Sequence, residues 1–401
     1  MKYIYLDYAA TTPTDPRVIK AMKPYFRRFF GNPSSLHETG QEARRIVKKS
    51  REQIARFINA EPEEIIFLSG GSEADNMALK GTFYQTNINT PHFITSKIEH
   101  HAILEPCHFL EKQGAEITFL PIDKSGIVDL DALKKSIKNT TVMVSIMHAN
   151  NEIGTIQPLE KIGEIIQQEK EKRKKNNIDT PIYFHTDAVQ TFGHLPINVK
   201  NLPVDFLSAS SHKLYGPKGV GLLYIRKGIK IEPLIHGGEH EQGRRASTEN
   251  VSGIVGFAKA VELAEKEMAQ EAERLTELRD YLIAEILTKI EKSHLNGDAK
   301  NRLPNNVNVS IEGIEGESML IELDYFGIAC STGSACSSEE LKPSHVLSAM
   351  ELSPEIAHAS LRFSLGKWTK KKDLDYLVEK LILVVNRLRG ISPLKVSEKI
   401  N

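Results

Sequence analysis

The sequence predicts an α/β protein with a mainly parallel sheet, and three observations support this fold class. Apolar strand-like runs alternate with amphipathic helical segments through the first two thirds of the chain, as in parallel sheets covered by helices. Polar side chains repeatedly follow the strands, at the edge where α/β sheets bind ligands. The length of 401 residues suits one large and one smaller domain.

The hydrophobic periodicity of the first segments alternates between that of helices and that of strands. Asp15 and Pro16 have the pattern of a helix N-cap followed by a first-turn proline, and a helix over about 42–58 places apolar residues on one face. Seven strands are predicted, at Glu64–Leu68, His92–Ser96, Glu116–Leu120, Thr141–His148, Ile182–His185, Phe206–Ser210 and Gly221–Arg226. Between them we expect helices over about 72–79, 102–113, 131–137 and 159–169, the last ending in a charged, solvated run over 168–175.

The sequence pattern changes after Asn250. A long Ala-, Glu- and Leu-rich helix over about 254–290 leads to a strand at Asn306–Ser310, a loop rich in Ser, Gly and Cys over 329–338, and a final helix over about 373–388. This change predicts a second domain in the C-terminal third.

Composition favours an enzyme that acts on a small molecule. Lys+Arg and Asp+Glu both number 52, so no net charge draws the chain to nucleic acid or to an anionic membrane. Three cysteines form no disulfide framework, and no run approaches the roughly 20 apolar residues of a membrane span. The N-terminus lacks a secretory h-region. We therefore expect a cytoplasmic protein.

Lys213 is the most informative candidate residue. It follows an apolar run and precedes a Gly/Pro turn at Gly216–Gly221, where a strand delivers its last side chains to a ligand pocket. Desolvation there lowers the pKa of a lysine, and a neutral amine can hold an aldehyde cofactor as a Schiff base. Taken alone, a surface lysine before a turn is the commoner interpretation.

Other polar residues also follow strands. Ser69–Glu73 has the strand–turn–helix form of a phosphate site with Ser72 at the N-cap, although an ordinary capped turn has the same pattern; its glycine spacing matches neither ATP nor NAD motifs. Asp187 could pair with a pyridinium nitrogen or cap a helix, and His100 could stack on a flat cofactor or be structural. Asn151 ends a strand in the same way. Their common placement predicts one site.

The composition of the loop Cys330–Ser338 predicts a reactive thiol in addition to the Lys213 amine. Small residues around a thiol favour mobility, so a nucleophilic cysteine there could attack a bound substrate and present its cargo elsewhere. The C-x5-C spacing is not that of zinc sites, and the glycines between His236 and His240 argue against a helical pair of ligands. We assign no metal site. Cys107, on an apolar helical face, is expected to be a buried small residue.

Together these motifs resemble the cysteine desulfurases of the NifS/IscS type, within the class V aminotransferase-like enzymes that use pyridoxal phosphate. The resemblance runs nearly end to end, through Leu6–Pro13, Gly31–Ser35, Ser69–Asn76, Glu99–His100, Asn150–Gly154, Asp187–Gln190, Ser210–Lys213, His236–Gly238, Gly333–Cys336 and Leu361–Gly366. It implies the fold type I of pyridoxal-phosphate-dependent transferases. A large domain over 14–258 would carry a seven-stranded sheet, and 1–13 with 259–401 would form a smaller α+β domain bearing the cysteine loop, about 328–340.

The resemblance also implies a role for each matching residue. Catalytic roles fall to Lys213, which bonds the cofactor aldehyde and then moves protons, to His100 over the cofactor ring, and to Cys336, the sulfur acceptor. The remaining cofactor contacts would come from Gly71, Ser72, Asn151, Asp187, Gln190, Ser210 and His212, with Thr248 reaching the partner subunit's phosphate in a homodimer. Asn151 and Arg362 would receive the substrate carboxylate.

The implied reaction converts L-cysteine to L-alanine and leaves sulfane sulfur on Cys336 as a persulfide, for iron–sulfur cluster assembly or another sulfur acceptor protein. Alternatives are a selenocysteine lyase, another class V enzyme such as a transaminase, or a non-catalytic sulfur-relay protein. Arg245–Thr248 departs from the usual R-x-G-T, so the contact of Thr248 could be reshaped. Cys330 is an extra thiol that we expect to be inert.

Overall fold

A seven-stranded sheet forms the centre of the larger part of the molecule. The computed structural model describes residues 3–332 and 343–392. The sheet contains β2 (Ile65–Leu68), β3 (His92–Ser96), β4 (Glu116–Leu120), β5 (Thr141–Ser145), β6 (Tyr183–Asp187), β7 (Phe206–Ser210) and β8 (Gly221–Ile225). Their spatial order is β2-β8-β7-β6-β5-β3-β4. β8 runs antiparallel to both of its neighbours and the other pairs are parallel, which confirms the mainly parallel sheet.

Helices cover both faces of this sheet, and their apolar stripes pack on strands that are mostly buried, although the edge strand β4 is only partly buried before Leu120. They are α1 (Pro16–Met22), α2 (Glu38–Phe57), α3 (Gly71–Gln85), α4 (His101–Lys112), α5 (Leu130–Ser136) and α6 (Leu159–Lys175). The charged run at the end of α6 is not fully solvated, because Arg173 and Glu169 are buried. That part of the expectation was wrong.

A long helix connects the sheet to a second core. α7 (Val251–Lys289) is followed by β9 (Ser293–Leu295), β10 (Asn306–Ile311), α8 (Gly316–Tyr325), β11 (Ile328–Ala329), α9 (His345–Ala349), α10 (Pro354–His358), β12 (Ser360–Ser364) and α11 (Lys371–Ile391). β10 lies antiparallel between β12 and β9. The N-terminal strand β1 (Ile4–Tyr5) pairs with β11, and Ile4 and Leu6 join this second core. The domain boundaries at 13/14 and 258/259 stay a prediction.

Some elements differ from the expectation. α2 begins at Glu38 rather than near residue 42, because its first turn carries no apolar residue and His37 supplies the N-cap. β5 ends at Ser145 rather than His148, and the next residues turn toward the sheet edge, where His148 N donates to Asp187 O at 2.8 Å. No helix in the described ranges has the length and apolar character needed to cross a bilayer.

Candidate active site

A cleft of about 320 Å³ lies at the carboxyl ends of the parallel strands. It brings together residues from distant parts of the chain. Of the residues predicted for the site, those lining the cleft are Gly71, Ser72, His100, Asn151, Asp187, Gln190, Ser210, His212, Lys213 and Arg362. Thr248 is exposed and lies outside it, and Cys336 with the rest of 333–342 lies outside the described residues. The positions of strand ends predicted one site for Ser72, His100, Asn151, Asp187 and Lys213, and all five line this cleft. The other five lining residues were implied by the resemblance, and the role of each of the ten stays a prediction.

Lys213 points into the cleft. It sits in the single 3₁₀ turn Ser211–Lys213 that follows β7, and its Nζ donates to Ala9 O at 2.5 Å and to Ala10 O at 2.8 Å. His194 Nε2 donates to the Lys213 carbonyl at 2.9 Å and fixes the backbone behind it. The amine is therefore held at the cleft wall by the N-terminal segment of the chain.

Asp187 ends β6 with a buried carboxyl group. Burial raises its pKa to about 6, while the Val189 N–H, which donates to Oδ1 at 2.8 Å, and the Lys213 charge lower it. A carboxyl group with this pKa can hold a protonated ring nitrogen near neutral pH. Gln190 lies beside it and donates to Ala9 O at 3.1 Å.

A cradle for an anion lies where α3 begins. Gly71 is the first residue of this 15-residue helix, and a Cβ there would lie 2.6 Å from Val189 Cγ2, so the close approach requires glycine. Helix N–H groups, the Ser72 and Ser210 hydroxyls and the His212 ring surround the same part of the cleft. Burial, and then the Lys213 charge, lower the pKa of His212 to about 4, so its imidazole is neutral.

His100 forms another wall of the cleft. Its Nδ1 accepts from Ala102 N at 3.1 Å as the N-cap of α4, which places the ring proton on Nε2. Burial, and next the Lys213 charge, lower its pKa to about 4. A neutral ring of fixed orientation can stack on a flat ligand and donate through Nε2.

Arg362 reaches the cleft from β12. Its Nη1 donates to Asn151 O at 3.1 Å and its Nη2 donates to Asp7 Oδ1 at 2.8 Å. Its buried Nε has no hydrogen-bond partner among the residues described. The guanidinium therefore keeps donors for a further carboxylate.

Sequence reasoning assigned no role to four acidic residues at this site: Asp7, Asp75, Glu99 and Glu152. Burial raises the pKa of Glu99 to about 8 and that of Glu152 to about 7. It also raises the pKa of Asp75, whose buried Oδ1 lies 3.6 Å from His185 Nε2 and has no hydrogen-bond partner among the described residues. Each lies within or beside a motif already noted. Asp7 is only partly buried, and the burial of the other three depends on packing that no local pattern reveals.

The two described cysteines differ in burial, since Cys107 is buried and Cys330 is only partly buried. Cys107 is fully buried in the core beneath α4, as expected. Burial, and next the Asp7 charge, raise the pKa of Cys330 to about 12, so its thiol stays protonated. The described ranges contain no cluster of three or more His, Cys, Asp or Glu side chains that could bind a metal ion.

Comparisons with known proteins agree with this geometry. Residues 4–377 match the family described as aminotransferase class-V. A protein named cysteine desulfurase IscS from Dictyoglomus turgidum is 56% identical over 398 residues, which cover 99% of this chain and 98% of that protein. A solved NifS-like protein superposes with a TM-score of 0.89 at 38% identity, covering 96% of this chain and 100% of the other. A structure described as SspA in complex with cysteine has a TM-score of 0.80 at 36% identity, with coverage of 90% and 98%. The fold implied by the sequence resemblance is confirmed.

Proposed function

We propose that this chain, which belongs to the class-V aminotransferase family, is a cysteine desulfurase that converts L-cysteine to L-alanine. The observation that carries the proposal is the convergence of Lys213, Asp187 and Arg362 on one cleft. An amine, a buried carboxyl group and a guanidinium are the groups needed to hold an aldehyde cofactor and an amino acid together. The names of the relatives at high identity support the same activity.

The cofactor that fits the cleft is pyridoxal 5'-phosphate. The α3 cradle suits its phosphate, the Asp187 carboxyl group suits its ring nitrogen, and Lys213 suits its aldehyde. Gln190 would donate to its phenolic oxygen and His100 would stack on its ring. When bound, pyridoxal phosphate supplies an electron sink that acidifies the Cα–H bond of an amino acid.

The residues of the chain then have separate tasks. Lys213 would hold the cofactor aldehyde, and its free amine would take the proton from the substrate Cα. Arg362, next to Asn151, binds the substrate carboxylate and so fixes which bond at Cα is presented to Lys213. Neutral His100 holds a proton on Nε2 beside the reacting atoms.

Cys336 is the proposed sulfur acceptor. Its thiolate attacks the substrate sulfur, the Cβ–S bond breaks, and Cβ takes up a proton, so that cysteine and enzyme thiol give alanine and an enzyme persulfide. Atoms and electrons balance without a further oxidant or reductant. The persulfide would pass to an acceptor protein, including one that assembles iron–sulfur clusters. We also propose a homodimer in which Thr248 contacts the partner subunit's cofactor phosphate.

A pair of cysteine variants tests the proposal. We expect the purified protein to be yellow, to lose its colour with borohydride, and to release sulfide from L-cysteine under a reductant. Cys336→Ala should abolish sulfide release while the colour stays. Cys330→Ala is the matched control and should retain full activity, because the raised pKa keeps its partly buried thiol protonated.

Mass spectrometry after brief exposure to L-cysteine locates the sulfur. An added sulfur on the Cys336 peptide is expected, and none on the peptide of Cys330. Full desulfurase activity in Cys336→Ala would show that the acceptor is assigned wrongly. A wild-type protein that forms no L-alanine from L-cysteine would refute the function itself.

A further inference from the structure

The arginine proposed for the substrate carboxylate already holds a carboxylate of the protein. Arg362 Nη2 donates to Asp7 Oδ1 at 2.8 Å. The Arg362 side chain is 5% exposed and that of Asp7 is 21% exposed, so water screens this pair only in part. An amino acid that enters the cleft therefore meets a guanidinium whose positive charge is already partly neutralised by Asp7.

The remaining donors of Arg362 define how a second carboxylate binds. Two hydrogen bonds go to Asp7 and Asn151, while Nε is buried and has no partner in the described part of the chain. Nε and Nη2 form one edge of the guanidinium, with the spacing for a bidentate carboxylate. A substrate carboxylate on that edge shares Nη2 with Asp7, so two like charges lie on one cation.

Asp7 cannot easily move away from this position. Its neighbour Leu6 pairs on both sides, since Leu6 N donates to Ala329 O and Ser364 N donates to Leu6 O, each at 2.8 Å. Tyr5 Oη also donates to the Asp7 carbonyl at 3.0 Å. The backbone of the N-terminal segment is thus fixed between β11 and β12.

Arg362 is held independently of Asp7. It lies within β12, whose residues pair along their length with β10, and Nη1 is bound to Asn151 O. Removing the charge of Asp7 therefore leaves the guanidinium in place but less neutralised. Removing the Asp7 charge therefore changes the electrostatics of the cleft and does not displace Arg362.

The charge of Asp7 also reaches other groups nearby. Burial, and next the Asp7 charge, raise the pKa of Tyr5 to about 12 and that of Cys330 to about 12. The Arg362 charge lowers both pKa values, so these groups respond to the same pair of opposed charges that an arriving carboxylate would meet.

We propose that Asp7 determines the affinity of the cleft for amino-acid carboxylates, by opposing the carboxylate that Arg362 binds. This inference rests on the proposed function, because L-cysteine and L-alanine carry the same carboxylate. By weakening both complexes, Asp7 lets the product leave Arg362.

Asp7→Asn tests the proposal, because its amide oxygen can still accept from Arg362 while the charge is gone. At a separation of about 6 Å and an effective dielectric constant of about 40, the repulsion between two negative charges weakens ligand binding by roughly a factor of ten. We therefore expect the dissociation constant of L-alanine for the cofactor-loaded enzyme, measured by calorimetry, to fall about tenfold. The KM for L-cysteine should fall with it while kcat does not rise.

Two controls separate charge from structure. L-alaninamide lacks the carboxylate and should gain no affinity in Asp7→Asn. Glu322→Gln removes the same charge from a pair with the exposed Arg387 and should leave L-alanine binding unchanged. Asp7→Glu keeps the charge and should keep the wild-type ratio of L-alanine to L-alaninamide affinity, so it remains informative if Asp7→Asn folds poorly.

The outcomes are distinct. Unchanged or weaker L-alanine binding in Asp7→Asn, in an otherwise active desulfurase, overturns the inference. An equal gain in affinity for L-alanine and L-alaninamide in Asp7→Asn overturns it too. So does a tenfold rise, in Asp7→Glu, of the ratio of L-alanine affinity to L-alaninamide affinity. A wild-type enzyme without desulfurase activity instead refutes the proposed function on which the inference rests.

Discussion

Glu99 links the pH dependence of stability to the geometry of the cleft. It lies between β3 and His100, is fully buried, and accepts from Ser96 Oγ at 2.7 Å and from Met147 N at 3.0 Å. Burial raises its pKa from the ordinary value of 4.5 to about 8. The protonated group therefore joins the end of β3 to the segment that follows β5.

The sign of its contribution follows from this shift. A carboxyl group whose pKa is raised by folding binds its proton more tightly in the folded state. Its contribution to stability is complete below the unfolded value of 4.5 and is lost as the pH rises through the folded value of about 8. Between about pH 6 and about pH 8, the free energy of unfolding should fall by about 2 kcal/mol through this residue.

Glu99→Gln tests this reasoning because glutamine imitates the protonated form and cannot titrate. We expect the stability of the variant to fall less than that of wild type over this interval, by about 2 kcal/mol in urea unfolding followed by circular dichroism. Glu105→Gln, on the exposed face of α4, should follow wild type. Infrared difference spectra should show a protonated carboxyl band near neutral pH that Glu99→Gln loses. Parallel pH profiles for wild type and Glu99→Gln would refute the argument.

Two further predictions concern stability away from the cofactor. Arg173→Met removes the donor to the Thr141 and Thr180 carbonyls and leaves Glu169 paired with Lys172 alone, so it should lower the free energy of unfolding by about 3–5 kcal/mol. Lys172→Met, at an exposed neighbour, should lower it by less than about 1 kcal/mol. Thermal unfolding that fails to separate the two variants would contradict this. Gly154→Ala places a Cβ 2.8 Å from Asn306 at a φ of +75°, so it should cost about 1–3 kcal/mol more than Gly114→Ala, which has a φ of +95° and open space. Equal thermal midpoints for these two alanine variants would show that the contact at Asn306 relaxes freely.

Much of the fold could be read from periodicity. Buried parallel strands are apolar along their length and alternate with amphipathic helices, so the seven strands of the large sheet were recognisable one by one. The strand β12 was not predicted, although it carries Arg362. Its alternation is short, and its pairing partners in β10 lie 50 to 58 residues away in sequence.

The sequence by itself determined the chemistry available to the cleft, because residues at the ends of parallel strands must meet at one edge of the sheet. Lys213, Asp187 and His100 could be placed at one site in this way, while their roles came from the resemblance. Only the tertiary structure decided which acidic groups are buried beside these residues. It also decided that Asp7 forms an ion pair with Arg362. Ion pairing and desolvation depend on distances between segments that are remote in sequence, and no local pattern encodes those distances.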